Sequence, residues 1–98
     1  MAPQPGTPVD LRLYIAGESA GARRARENLG RMSKLLPETA RVEIVDVLLE
    51  PERAEAAGIL ATPTLSNDGF DPPRRIVGDL ADVDRVLHFF GIVPREPD

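Results

Sequence analysis

Few residues in this chain are of types that could carry chemistry. No cysteine occurs among the 98 residues and His88 is the single histidine. That excludes disulfides, thiolate catalysis and metal sites built from cysteine or clustered histidine. A redox role would need a separate cofactor. Ser19 offers a hydroxyl, but a serine becomes a nucleophile only beside an activating base, and none stands near it in sequence. The same residue is the best N-cap for the segment that follows. His88 lies off the apolar stripe of its own segment and reads as an ordinary, partly exposed position. Arg23, Arg24, Arg26, Arg31 and Lys34 could hold phosphate or nucleic acid, yet the net charge is −4, and a solvated helix face is the simpler reading. No Gly-rich loop suited to cradling phosphate is present. The expectation is a protein without catalytic residue, metal ligand or cofactor.

The elements that must position any binding residues can be read from periodicity. Val9, Leu11, Leu13 and Ile15 alternate with polar or small residues, the pattern of a strand ending at Gly17. Ala22, Ala25, Leu29, Met32, Leu35 and Leu36 recur at helical spacing until Pro37. Arg41–Val47 is a second, β-branched strand, and strand, helix and strand together predict a parallel βαβ unit with a right-handed crossover. Pro51 suits the first position of a short helix over Glu52–Ala57, closed by Gly58, with a weak core stripe of Ala54, Ala57 and Leu60. Thr64–Ser66 and Arg74–Gly78 read as a hairpin across a long loop, and Leu80–Phe90 as a last helix preceded by Asp79 or Ala81 and ended by Gly91 and Pro94.

Between the short helix and the hairpin stands Ile59-Leu60-Ala61-Thr62-Pro63-Thr64-Leu65. Proline has no N–H for a ladder, so Pro63 is expected to open a strand, with the Thr62-Pro63 bond either cis or trans. Composition, 42% apolar and 29% charged, is that of one globular domain, expected over residues 9–93 between loose tails at 1–8 and 94–98. No apolar run nears the ~18–20 residues of a membrane span and Met1–Pro8 lacks the pattern of a signal peptide, so the expected location is cytoplasmic.

The order of elements, with Thr-Pro-Thr-Leu opening the third strand, resembles the thioredoxin fold, an α/β βαβαββα arrangement with a mixed four-stranded sheet and a cis proline at that place. Where thioredoxin carries its cysteines, this chain has Gly17-Glu18-Ser19-Ala20-Gly21; a glutathione-dependent transferase using Ser19 is the weakest reading. The resemblance sharpens over Leu13-Tyr14-Ile15-Ala16-Gly17, Val45-Asp46-Val47-Leu48, Pro51, Ala54-Glu55, the Ile59–Leu65 heptapeptide, Pro72-Pro73 and Ile76-Val77-Gly78-Asp79-Leu80. Together these blocks are similar to the circadian clock protein KaiB family.

That resemblance implies a non-enzymatic protein that binds a KaiC-like ATPase ring. It also implies two folds, the thioredoxin-like one and a ground state (βαββααβ) with a rearranged C-terminal half that forms homo-oligomers, dimer or tetramer. Leu48, Leu49, Glu52, Arg53 and Glu55, supported by Arg74 and Arg75, are the implied partner-binding residues. Pro63, Pro72, Pro73, Gly78 and Asp79 are those implied for the switch. A sensor histidine kinase with a related domain is the rival partner. Glu43 stands where a lysine is usual on the second strand, the strand on which KaiA docks, which argues against a KaiA partner.

Overall fold

The computed structural model describes residues 8–95. Up to residue 7, the tail expected over 1–8 lies outside the described residues, as do residues 96–98. Four strands, β1 (Asp10–Ile15), β2 (Arg41–Asp46), β3 (Thr64–Asn67) and β4 (Arg74–Val77), form one sheet in the order β2-β1-β3-β4. β1 runs parallel to β2 and antiparallel to β3, and β3 is antiparallel to β4. Three helices connect or follow them: α1 (Ala20–Ser33), α2 (Pro51–Ala57) and α3 (Val83–Phe89). This is the mixed, thioredoxin-like βαβαββα arrangement.

Alternation along the strands assigns the two faces of the sheet. Leu11, Leu13, Ile15 and Leu65 point to one side, where Ala22, Ala25, Leu29 and Met32 of α1 meet Val86 and Leu87 of α3 and Phe90 just beyond it. Full burial of each large apolar side chain there contributes about 1.5–3 kcal/mol. Arg12 and Tyr14 point to the other side, the one under α2.

Ends of the helices follow their capping residues. Ser19 Oγ accepts from Ala22 N at 3.2 Å, so its hydroxyl is committed to the start of α1. Gly58, with φ +71, closes α2 in the left-handed conformation only glycine adopts readily. That cap turns the chain away, and Leu60 is 98% exposed instead of joining a core stripe. The last helix starts later than its apolar spacing predicts. Leu80 has φ +68 and cannot be helical; Asp82 is the cap, accepting from Arg85 N at 3.1 Å. Past its end, Ile92 N donates to Leu87 O at 2.9 Å, returning buried Ile92 to the core. The Thr62-Pro63 and Asp71-Pro72 bonds are both cis.

Candidate functional site

On the α2 side of the sheet, register builds one row of polar residues across all four strands. Glu43 lies beside Arg12, Arg12 beside Ser66, and Ser66 beside Arg75. Cross-strand neighbours are close enough to interact directly, and here they do. Arg12 Nε donates to Glu43 Oε1 at 3.2 Å and Arg12 also pairs with Asp68. Ser66 Oγ, fully buried, donates to Asp68 Oδ1 at 2.6 Å and accepts from Arg75 Nε at 3.2 Å. From above, Arg53 of α2 grips Glu43 with both guanidinium nitrogens at 2.7 Å and reaches Glu50 at 3.6 Å.

Bidentate geometry gives this contact direction as well as charge. Hydrogen bonding to Arg53, and then to Arg12, holds the Glu43 carboxyl at about 2, well below its usual 4.5. The reciprocal hydrogen bond raises the Arg53 guanidinium. Two residues further along each strand, on the same face, Val45, Tyr14 and Thr64 are buried, and burial pushes the Tyr14 phenol up. A cleft of about 380 Å³ opens between Tyr14, Ala56, Ala57 and Pro73, rimmed by Arg12, Arg53, Asp68 and Arg75.

The approach to α2 is set by Asp46. Its Oδ1 accepts from Leu48 N at 3.0 Å and from Gly17 N at 3.1 Å, while its carbonyl accepts from Leu49 N and Glu50 N. This turn ties the end of β2 to the end of β1 and holds Leu48 and Leu49 outward, 68% and 78% exposed. No residue of α2 is buried. An apolar pair before the helix and Leu60 beyond it therefore flank a helix whose outer face carries Glu52 and Glu55, both exposed.

Of the residues expected to bind a partner, the structure brings Leu48, Leu49, Glu52 and Glu55 together on the surface. Arg53 turns inward to the ion row. Arg75 joins that row from the far strand, whereas Arg74, one residue earlier, points to the opposite face, where it donates to Phe89 O at 3.0 Å and lies 4.0 Å over the Phe70 ring. Arg12, Ser66 and Asp68 belong to this region without having stood out in sequence, and so do Asp46, quoted only within a block of resemblance, and Leu60, expected in a core stripe but exposed here. Alternation placed Arg12 off the core face, and Asp46 before a turn is a known signal; only the register could pair Arg12 with Glu43.

Of the residues expected for a switch, Gly78 N donates to Pro63 O at 2.9 Å. Asp79 is fastened to α1 twice, through Arg24 Nε to its Oδ2 at 3.0 Å and Asn28 Nδ2 to its carbonyl at 2.7 Å. Pro72 is exposed in the β3–β4 loop, and Pro73 after it lines the cleft. Among the described residues no group of His, Cys, Asp and Glu could hold a metal ion, and no helix is long and apolar enough to cross a membrane.

The site thus lies on a thioredoxin-like sheet whose α1 N-terminus carries Ser19 as its cap. Comparison with solved structures agrees on the fold. A thioredoxin of Plasmodium falciparum superposes with a TM-score of 0.69 at 10% identity, covering 92% of this chain and 76% of that one. The N-terminal domain of Synechococcus elongatus SasA superposes with 0.65 at 17%, covering 92% and 90%. In sequence, the chain is 42% identical over 85 residues to the circadian clock protein KaiB3 of Synechocystis sp., covering 86% of this chain and 83% of the relative. The KaiB domain model matches residues 12–92. The chain belongs to the KaiB family.

Proposed function

We propose that this chain is a regulatory protein that docks, through α2 and the turn before it, on a KaiC-like ATPase ring and alters that ring's phosphorylation cycle or output. What carries the reading is a helix with no buried residue, flanked by Leu48, Leu49 and Leu60 at 68, 78 and 98% exposure. Large apolar side chains grouped in solvent mark an interaction surface. Glu52 and Glu55 would set orientation on the ring, since interfacial charges govern encounter and register. Arg53 acts from beneath by fixing the helix to Glu43, and Arg75 supports the far side of the same cleft. Arg74, on the other face, contributes through the β4–α3 packing.

Likeness in shape to the SasA domain supports a sensor histidine kinase bearing such a domain as a competitor for the same site. Glu43, held between Arg12 and Arg53, supports the expectation against a KaiA partner on β2. The proposal extends to a rearrangement of the C-terminal half, with homo-oligomers belonging to the rearranged state. The bonds from Gly78 to Pro63 and from Asp79 to Arg24 and Asn28 are those that must open for it.

The test is the affinity of the chain for a purified KaiC-like ATPase hexamer. Leu49→Asp combined with Glu52→Arg should weaken binding by about tenfold or more, as loss of central interface residues does, with an unchanged circular dichroism spectrum. Unaltered affinity would place the interface elsewhere.

A further inference from the structure

Tyr14 is only 4% exposed, yet its hydroxyl makes no hydrogen bond among the described residues. Nor is any described side-chain nitrogen or oxygen sealed from solvent without a partner. The hydroxyl therefore opens into the cleft of about 380 Å³ that Tyr14 lines with Ala56, Ala57 and Pro73. A buried tyrosine usually finds a partner for its O–H; this one faces an opening. Burial raises the phenol, and the Asp68 charge acts in the same direction, so the group keeps its proton at neutral pH and is a donor there.

The cations on the rim of the cleft are not equivalent. Arg12 is paired with Glu43 and Asp68, and Arg53 with Glu43 and Glu50. Arg75 donates through Nε to Ser66 Oγ and meets no described carboxylate. Its Nη groups are left for another acceptor. Such a pair of guanidinium donors matches a carboxylate in bidentate form, and a single uncompensated charge suits a monoanion better than a phosphate dianion. Apolar walls with a few convergent polar groups are the make-up of a small-molecule site. We propose that the cleft between α2 and the sheet binds a small organic monocarboxylic acid, its carboxylate held by the Arg75 Nη groups and the Tyr14 hydroxyl, its aryl or branched alkyl body laid against Ala56, Ala57 and Pro73. The assignment needs no docked ring, because the isolated chain presents all of these groups.

Benzoate is the probe. Titrated into the isotope-labelled full chain, it should shift the NMR signals of the Arg75 Nε–H and the Ala56 and Ala57 amides saturably, with a dissociation constant of about 1 mM, ordinary for so small a ligand. Benzyl alcohol has the same shape without the charge, and acetate offers the carboxylate of an acidic side chain without the apolar body. Each should bind at least about tenfold more weakly. Tyr14→Phe removes a hydroxyl that the fold does not use, so it should weaken benzoate by about tenfold and leave the urea midpoint unchanged. Arg75→Lys keeps the charge but not the paired donors and should weaken benzoate by about the same factor; it decides the matter should Tyr14→Phe unfold. The absence of a saturable shift would overturn the proposal. So would equal affinity for benzyl alcohol, acetate or inorganic phosphate, undiminished binding by either folded variant, or shifts at Arg23 and Arg26 of α1 in place of the cleft.

Discussion

Glu43→Gln removes the charge that joins β1, β2 and α2 while keeping the shape of the side chain. The magnitude follows from the wild-type carboxyl, held at about 2 against an ordinary 4.5 by hydrogen bonding to Arg53 and Arg12. A folded value below the unfolded one means the stabilisation is fully present above about pH 4.5 and is lost as pH falls toward about 2. Without solvent, that interval would correspond to roughly 3 kcal/mol. The Glu43 side chain is 47% exposed, however, and exposed pairs retain at most about 1 kcal/mol even with good geometry. Glu43→Gln should therefore cost about 1 kcal/mol at pH 7, read as a lower urea midpoint with an unchanged slope. The difference from wild type should vanish near pH 2. Amide exchange should quicken first in α2, which has no buried residue to hold it otherwise. Equal stability at pH 7, a difference that persists undiminished at about pH 2, or a Glu43 carboxyl that titrates near 4.5 by carbon NMR would refute this.

Ser19→Ala should cost about 1 kcal/mol by loss of the α1 cap and leave partner affinity unchanged; urea titration and binding check both, and a transferase activity abolished by this substitution would contradict the capping role. Asn28→Ala leaves the Asp79 carbonyl without its 2.7 Å donor and should cost about 1–3 kcal/mol. It should also speed amide exchange from Gly78 to Ile92 more than in β1 or β2. Gly58→Ala places a Cβ where φ is +71 but no atom lies within 4 Å, so calorimetry should show a loss of about 1–2 kcal/mol from backbone conformation alone.

The first βαβ unit is legible in sequence because its signals are local and agree. Alternation in β1, the Ala22 to Met32 stripe and the Ser19 cap each predict what forms. Local signals fail further on for identifiable reasons. Leu80 and Phe90 fit a helical period, but left-handed backbone at Leu80 delays α3 to Val83, and nothing in a leucine announces that conformation. Leu60 fits the spacing of Ala54 and Ala57, yet Gly58 lies between them and ends the helix. Arg74 and Arg75 look like one basic site and lie on opposite faces because strand neighbours always do. The Glu43, Arg12, Ser66, Arg75 row is invisible for a different reason. Its members come from four separate strands, and only the sheet register brings them into line.

Transfer of NMR saturation from a KaiC-like ATPase ring to this chain, labelled and bound to it, tests the docking face most directly. The amides of Leu48, Leu49, Glu52, Glu55 and Leu60 should lose intensity while those of β2 keep theirs. Intensity lost along β2 or α1, with Leu48 through Leu60 untouched, would contradict the account.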